Sequence, residues 1–338
     1  MNFPYSKHQV SRAGERVASS SKKGEAIEDF VIIGAWRAIH GEPLKEMLEV
    51  VSEVAKDFPG AYVAGRLKRV ETIIEKLRRP GFTHDLKTLD DIAGCRLVLP
   101  EFSDITSAVQ TLEAQPGFWR KKDYISEPKK DGYRGVHTLH RCDAVQAGVS
   151  CLRVEVQVRS SLQHAWSTAV ESYDLRPGPK MKFGGGTEAE KRFFLLVSEL
   201  FAQVEVGNLK DGLDLNDIQV KIAELKRIES SVHIISWLEG FSRSVSFIQS
   251  TEDLADSHAF LITFNYDSQF ITIRPFGSEE MNQAPSDYSR AEEDAEDNEV
   301  ILLVQANSLE EIQAAYPNYF SDISLFLNQL KEILSVGS

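Results

Sequence analysis

The chain has 338 residues, of which 42% are hydrophobic and 26% charged, a composition typical of a soluble globular protein long enough for two domains. No apolar run reaches the ~18 residues that a membrane span needs, and the N-terminus has no signal-peptide core, so we predict a cytoplasmic location and no membrane partner. The three cysteines lack metal-ligand spacing and predict neither a disulfide framework nor a zinc site.

The net charge of −13 is unevenly distributed along the chain. Residues 1–60 carry a net charge of −1, residues 61–180 a net charge of +4 and residues 181–338 a net charge of −16. The basic middle segment suits a phosphate-bearing ligand. The acidic half either covers that segment or serves solubility alone, and the sequence leaves both interpretations open.

The spacing of apolar residues predicts helices and strands in an order typical of a mixed α/β core. Helical spacing covers 26–57, with a break near Gly41-Glu42-Pro43, and a second helix is predicted over 67–78, ending at Pro80-Gly81. The elements predicted next are a strand at 96–99, a helix at 104–114, strands at 119–125, 133–141 and 152–159, and a helix at 160–174.

The C-terminal half predicts two long helices followed by a small α+β module. The helices cover 188–206 and 214–240, and strands are predicted at 258–266, 270–276 and 300–306, with a last helix from about 309 to 334. The acidic stretch 279–299 remains open between helix and solvated loop. We therefore divide the chain into an N-terminal helical region (1–58), a core (59–180), a helical connection (181–240) and a C-terminal module (241–338).

The first candidate site segment is a basic helix face. Lys68, Thr72 and Lys76 recur at i, i+4 and i+8, and Gly65 is expected at the start of the helix, where free amides favour an anion. Two ammonium groups and a hydroxyl on one face suit a polyphosphate. The alternative is an ordinary solvated basic face.

The second segment is an acidic pair, Asp90-Asp91, leading into a buried strand. A carboxylate at a strand edge is a common Mg²⁺ ligand, because Mg²⁺ takes few carboxylates and completes its shell with water and phosphate oxygens. The alternative is that one of these aspartates caps a turn.

The third segment, 122–137, is a basic, turn-rich loop leading into a strand. We expect Tyr133, Gly135 and His137 to share one face of that strand, where an aromatic ring beside cations can stack a base. The alternative for Tyr133 is a structural core tyrosine.

The fourth segment, Cys151–Arg159, alternates apolar and polar residues with period 2. Its polar face places the carboxylate of Glu155 between the guanidinium groups of Arg153 and Arg159. Glu155 supplies the second acid that a magnesium site needs, or the base for a hydroxyl nucleophile. The alternative is a solvated sheet face.

Taken in order, these four segments resemble the synthetase domain of the RelA/SpoT family over about residues 60–175. The pattern R-x-K-x-x-x-S matches at Arg66, Lys68 and Thr72, with threonine in place of serine, and D-I-x-G-x-R matches over 91–96. The longer D-Y-I pattern matches over 123–137, with Gly135 where serine is usual, and V-E-V-Q-I-R-T matches over 154–160.

The resemblance implies an α+β fold, with a nucleotidyltransferase-like mixed sheet flanked by helices, a helical linker and a small C-terminal α+β module. It implies an ATP-dependent pyrophosphotransferase that uses Mg²⁺ and transfers the β,γ-diphosphate of ATP to a ribose 3′-hydroxyl. The implied roles are catalysis and metal binding for Asp91 and Glu155, ATP binding for Arg66, Lys68, Thr72, Lys76 and Arg96, and acceptor binding for Tyr133, His137, Lys129, Lys122, Gln157 and Arg159.

Of the two candidate acceptors, we predict the 3′-terminal adenosine of tRNA, with GDP or GTP as the alternative. The segments around Tyr5-Ser6-Lys7, Trp36-Arg37 and 162–171 resemble toxic and phage-encoded members, which favours the 3′-terminal adenosine of tRNA and a translation-inhibiting toxin. The acidic composition favours GDP or GTP and a (p)ppGpp synthetase, because gripping tRNA requires Lys and Arg. A catalytically inactive sensor is the third reading, disfavoured because both acids and the triphosphate cations are present.

The C-terminal module carries a Y-x-x-Y pattern at Tyr316 and Tyr319. This arrangement resembles CapRel-type fused toxin–antitoxins, in which such tyrosines occupy the ATP site until a phage protein displaces the module. The resemblance therefore implies autoinhibition by Tyr316 and Tyr319, a phage-protein trigger and a role in antiviral defence. The alternative is that both tyrosines pack a helix–turn–helix corner around Pro317.

Overall fold

The computed structural model describes residues 2–19, 27–68, 70–79, 85–174, 181, 185–207, 215–239, 259–265, 268, 270–277, 279–280, 283–284, 287, 290–291, 294, 299–305 and 323–336. The chain forms two compact units. The first comprises Met1–Lys129 and Arg134–Ser161, and the second comprises Lys130–Tyr133 and Leu162–Ser338. The division into four regions made from the sequence remains a prediction.

The first unit is built on a five-stranded mixed sheet, within the residues described. Its strands are β1 (Tyr62–Leu67), β2 (Ala93–Leu99), β3 (Phe118–Asp123), β4 (Val136–Ala144) and β5 (Val149–Ser160). They lie in the order β1-β2-β5-β4-β3, in which β2 and β5 are parallel and the other neighbours antiparallel. The central position of β5 explains the burial of Val154, Val156 and Val158, none of which is exposed.

Helices cover this sheet and form two hydrophobic clusters. The helices of the unit are α1 (Lys7–Ser19), α2 (Ile27–Ala38), α3 (Gly41–Ala55), α4 (Val70–Leu77) and α5 (Ile105–Glu113). Residues of α3 and α5 pack on the apolar side of β2 and β5, whereas α1, α2 and α4 pack together around Trp36 and Ile73. The mixed sheet flanked by helices, predicted from the sequence, is confirmed.

Two local predictions were wrong. Residues 62–67 form a strand that pairs with β2 along its whole length, so Gly65 lies opposite Cys95 and not at a helix start. Helix α4 begins only at Val70, which leaves Lys68 ahead of it. Strand β4 begins at Val136, so Tyr133 and Gly135 do not share its face with His137. At residues 62–67, pairing with β2 overrides the local helical spacing, whereas residues 133–135 lie beyond Val136, the residue that pairs with the last residue of β3.

The second unit combines helices with a three-stranded antiparallel sheet, within the residues described. The helices are α6 (Ser161–Tyr173), of which Ser161 still belongs to the first unit, α7 (Glu188–Glu205), α8 (Leu215–Val232) and α9 (Ser324–Val336). Strands β6 (Ala259–Asn265), β7 (Phe270–Phe276) and β8 (Glu299–Gln305) lie in the order β7-β6-β8.

The second unit thus contains the long helices and the small sheet that the sequence predicts, within one compact unit. Of the acidic stretch left open, residues 284, 287, 290, 291 and 294 are helical. Among the described residues, no helix combines the length and the apolar character required to cross a membrane.

Candidate active site

One face of the five-stranded sheet carries the predicted polar residues. The register pairs Arg66 with Gly94, Gly94 with Glu155, Gln157 with His137 and His137 with Lys122. Directly paired residues point to the same face, and so do residues two apart on one strand. The sheet therefore brings Arg66, Arg96, Lys122, His137, Glu155, Gln157 and Arg159 to one face, opposite the core valines of β5.

Glu155 lies at the centre of this face and is 6% exposed. His137 Nδ1 lies 2.9 Å from Glu155 Oε1, and Gln157 Nε2 donates to Glu155 Oε2 at 2.7 Å. Burial by itself would raise the pKa of Glu155, but the charge and hydrogen bond of His137, the Gln157 bond and the charge of Lys122 hold it well below its ordinary value. Burial lowers the pKa of His137. An ionised Glu155 can only accept hydrogen bonds, so His137 Nδ1 is the donor of this bond.

Hydrogen bonds link the polar side chains of β5 to one another. Arg159 Nη2 donates to Gln157 Oε1 at 2.7 Å, which links it through Gln157 to Glu155. Arg159 is 4% exposed. The period-2 alternation of this strand is confirmed, and its polar face is a largely buried hydrogen-bonded network, not a solvated surface.

Asp91 accepts hydrogen bonds from both lysines that were predicted to bind the triphosphate. Lys68 Nζ donates to Asp91 Oδ2 at 2.9 Å, and Lys76 Nζ donates to both oxygens at 2.8 and 2.9 Å. Burial raises the pKa of Asp91 and the charge of Glu155 adds to this, but the two lysines outweigh both and the pKa lies below its ordinary value. The structure thus brings Lys68 and Lys76 together on Asp91 although they do not share a helix face.

The other ATP residues lie nearby on the first two strands and α4. Arg66 is exposed on β1, and Arg96 is half-buried on β2. Because Arg96 pairs with Ala64, two residues from Arg66, the two guanidinium groups start from diagonal positions on the same face. Thr72 lies in the first turn of α4 and is half-buried. The implied contacts of Arg66, Arg96 and Thr72 with ATP remain predictions.

The acceptor residues are only partly brought together. Lys129 Nζ lies 4.4 Å from the centroid of the Tyr124 ring, whose edge-on contact with His137 spans 5.1 Å between ring centroids. Tyr133 instead belongs to the second unit, is 9% exposed, and donates its backbone N–H to Asp131. The stacking of Tyr133 on an acceptor base, which the resemblance implies, remains a prediction.

A second cluster, in which one carboxylate meets three cations, was not predicted from the sequence. Asp90 accepts from Arg120 Nη2 at 2.8 Å, Lys122 Nζ at 2.9 Å and Arg153 Nη1 at 2.8 Å. Burial raises the pKa of Asp90, but the hydrogen bonds and charges of Lys122 and Arg153 lower it below its ordinary value. Asp90, Asp91 and Glu155 line one cleft of about 480 Å³, together with Trp119. The alternation of Arg120 and Lys122 on β3 is the sequence signal for this cluster.

The carboxylates of Asp91 and Glu155 are the candidate Mg²⁺ ligands of the cleft. Within the part of the chain that the structure describes, no three His, Cys, Asp or Glu side chains are grouped to hold a metal ion. The two carboxylates of Asp91 and Glu155 are ionised and interact electrostatically. Two carboxylates with substrate phosphates and water are a usual Mg²⁺ environment, so these residues fit the ion. Tyr316 and Tyr319, to which the sequence resemblance assigns autoinhibition, lie outside the described residues.

Comparisons with known proteins match the region of the chain that contains this sheet. The profile described as "Region found in RelA / SpoT proteins" matches residues 65–174. GTP pyrophosphokinase YjbM of Bacillus subtilis (strain 168) is 31% identical over 158 residues, covering 44% of this chain and 74% of the relative. GTP pyrophosphokinase YwaC of the same organism is 31% identical over 117 residues, covering 32% of this chain and 56% of the relative.

Among solved structures, the small alarmone synthetase 1 of Bacillus subtilis bound to its product pppGpp is 28% identical, with a TM-score of 0.40. That match covers 49% of this chain and 87% of the other. The coverage of YjbM and the ordered motifs on one sheet face identify the synthetase region. The chain therefore belongs to the RelA/SpoT synthetase family and is an ATP-dependent pyrophosphotransferase.

Proposed function

We propose that this protein transfers the β,γ-diphosphate of ATP to the 3′-hydroxyl of GDP or GTP. The observation that carries the proposal is the buried, ionised Glu155 on the central strand, between the lysines of Asp91 and the cations of β3. The names of the relatives YjbM and YwaC, both GTP pyrophosphokinases, support a guanine nucleotide as acceptor.

The transfer forms a bond between the acceptor 3′-oxygen and the β-phosphorus of ATP and breaks the bond from that phosphorus to the α,β-bridging oxygen, releasing AMP. Lys68 and Lys76 neutralise the phosphate oxygens of ATP, and Glu155 accepts the hydroxyl proton. His137 holds the Glu155 carboxylate in place through its Nδ1 proton. Catalysis then depends on positioning and charge neutralisation.

Asp91 and Glu155 are the residues that would hold Mg²⁺. When bound, the ion supplies further neutralisation of phosphate charge. Lys68 and Lys76, which bond Asp91 in this structure, are close enough to the same carboxylate to bind the phosphates beside the ion.

The second candidate acceptor is the 3′-terminal adenosine of tRNA. The observation that favours it is the exposure of Lys129 and Lys130 in the loop after β3, which suits a polyanion. Incubation with γ-³²P-ATP and either GDP, GTP or deacylated tRNA separates the candidates. We expect label in GDP and GTP. Label confined to tRNA would overturn the guanine-nucleotide proposal and establish the second candidate.

Autoinhibition by Tyr316 and Tyr319, with a phage protein as the trigger, remains a proposal that rests on the sequence resemblance. We expect Tyr319→Ala to raise transfer activity and growth inhibition on expression. Unchanged growth, with the variant shown to be folded by circular dichroism, would count against a tyrosine lid.

A further inference from the structure

The loop that connects β3 with β4 is held by a helix of the second unit. Residues Lys130–Tyr133 belong to that unit, whereas the chain on both sides of them belongs to the first. Ser198 Oγ of α7 donates a hydrogen bond to the carbonyl oxygen of Gly132, and Ser198 is 6% exposed. Because this bond is buried, its loss costs more than the loss of a bond at the surface.

Gly132 packs against α6 and α7 so closely that no side chain fits at its position. A Cβ atom there would lie 3.2 Å from Leu195 Cα, 3.2 Å from Ser198 Cβ and 3.3 Å from Trp166 Cζ2. Gly132 also has a φ of 91°, which favours glycine. The two helices therefore contact the bare backbone of the loop. We call Trp166, Leu195 and Ser198 the loop anchor.

The loop anchor is itself fixed by buried contacts. Trp166 is 5% exposed, and its Nε1 donates to the carbonyl oxygen of Phe194 at 2.8 Å, which joins α6 to α7. The fully buried Phe194 lies next to Leu195 in α7. Helix α7 begins at Glu188, beyond residue 174, where the match to the family profile ends. The loop thus depends on an element outside the matched region.

Along the chain, this loop is flanked by residues of the Glu155 site. Lys122 of β3 precedes the loop and His137 of β4 follows it, and the two residues are paired in the sheet. Lys129, directly before the anchored residues, places Nζ 4.4 Å from the centroid of the Tyr124 ring, and that ring contacts His137. A displacement of the loop therefore acts on the β3–β4 side of Glu155.

We propose that Ser198 and Gly132 are positioning residues that keep the loop in place before the acceptor binds. In the sheet, β3 and β4 lie on one side of β5, and β2, which follows Asp91 and its two lysines, lies on the other. Attacking and leaving oxygens lie roughly in line, so an acceptor opposite the ATP phosphates approaches from the loop side. A loop ordered in advance lowers the acceptor KM, because binding then does not have to order it. This role rests on the proposed function, since it requires an acceptor that meets Glu155 from that side.

The first test removes the hydroxyl of Ser198. Ser198→Ala should raise the acceptor KM by about five-fold, because fewer molecules hold the loop in place, and should leave the ATP KM and kcat unchanged. Ser167→Ala, which removes a hydroxyl from an 8% exposed residue of α6, is the matched control and should alter none of these constants. An unchanged acceptor KM in Ser198→Ala, an equal rise in both KM values, or a loss confined to kcat would overturn the positioning role.

The second test compares two glycines that share a positive φ. Gly132→Ala adds a clash with the loop anchor, whereas Gly207, with a φ of 76°, has no atom within 4 Å of a Cβ. Both changes carry the backbone strain, so the difference between them reports the anchor. We expect Gly132→Ala alone to raise the acceptor KM, by about ten-fold, and to speed hydrogen exchange of the amides of residues 130–133. Equal acceptor KM values and equal loop exchange in the two variants would overturn the proposal.

Transfer from labelled ATP to GDP, GTP or deacylated tRNA, measured first on the wild-type protein, fixes the acceptor for which KM is determined. Label confined to tRNA contradicts the proposed acceptor, and a tRNA KM that rises in Ser198→Ala then still supports the loop anchor. Label in GDP and GTP, with the same acceptor KM in wild type, Ser198→Ala and Gly132→Ala, contradicts the anchor and keeps the proposed function.

Discussion

The carboxylate of Glu155 stays ionised in a nearly closed environment because both of its oxygens accept hydrogen bonds, one from His137 and one from Gln157. A general base works best with a pKa near the working pH, and that of Glu155 is held far below it. In the protein without ligand, the carboxylate therefore acts mainly through its negative charge.

Replacing Glu155 by Gln tests this charge with almost no change in shape. We expect the transfer rate to fall by about 100-fold or more, because the amide can neither accept the hydroxyl proton nor interact with a metal as a carboxylate does. Single-turnover transfer from labelled ATP measures the loss. Glu113→Gln, the same change on α5, should leave the rate unaltered. An active Glu155→Gln variant would refute the site assignment.

Two buried histidines predict how the unfolding free energy depends on pH. Burial lowers the pKa of His40 and of His140 to about 4, from an ordinary value of 6.5. Below pH 6.5 these histidines become protonated in the unfolded chain but stay neutral in the folded chain. Their contribution to the unfolding free energy is therefore complete above pH 6.5 and is lost as the pH falls toward 4. Each histidine should reduce the unfolding free energy by about 2 kcal/mol between pH 7.5 and pH 5.

Urea unfolding at the two pH values measures this loss. His40→Gln should reduce the difference between pH 7.5 and pH 5, whereas His8→Gln, a change at an exposed position on α1, should not. An unfolding free energy that is the same at both pH values would contradict the assigned burial effect.

At the scale of elements, β3 depends on the turn that begins it. Gly117 has a φ of 83°, and its carbonyl accepts the backbone N–H of Arg141 at 2.8 Å. A Cβ atom at this position would lie 2.4 Å from the carbonyl oxygen of Arg141. The turn therefore fixes where Trp119 and Arg120 enter the cleft.

The change Gly117→Ala should lower the unfolding free energy by about 2 kcal/mol or more, since it adds both a clash and an unfavourable φ. Gly34→Ala on α2 is the control of opposite sign. No atom lies within 4 Å of a Cβ there, so alanine should stabilise the helix by about 0.5–1 kcal/mol. Denaturant unfolding measures both changes, and similar values for the two would contradict the role of the turn.

The sequence predicts those elements whose periodicity agrees with their tertiary setting. The alternation of Leu152–Arg159 identifies both the core face and the polar face of β5, because this strand is central and its register fixes both faces. Residues 62–67 lack this agreement. They form a strand because they pair with β2, and the local spacing of apolar residues does not indicate that pairing. The Asp90 cluster likewise joins β3 and β5, residues 30 and 63 positions away in the sequence.

At the scale of the whole chain, the last helix is part of a packed core. Phe326 of α9 is fully buried, with its ring 5.5 Å from that of Phe201 and 6.3 Å from that of Phe194. Both partners belong to α7. The C-terminal residues therefore contribute to the stability of the second unit.

Phe326→Ala should destabilise this packing by about 3–5 kcal/mol, through lost burial and the cavity left behind. Hydrogen exchange of the α7 amides reports the effect. The neighbouring Leu325 is 44% exposed, so Leu325→Ala should change exchange little. Equal exchange rates in both variants would mean that α9 does not support α7.

The four residues Lys130–Tyr133 have a consequence for dissecting this protein into fragments. They pack with the second unit although the chain on both sides belongs to the first, and Ser198 Oγ donates to the carbonyl of Gly132. A truncation after Ser161 would retain every strand of the large sheet and both acids of the cleft. It would nevertheless remove the helices that pack against the loop before β4. Loss of activity in such a fragment would therefore result from the loss of this packing and not from the loss of a regulatory element.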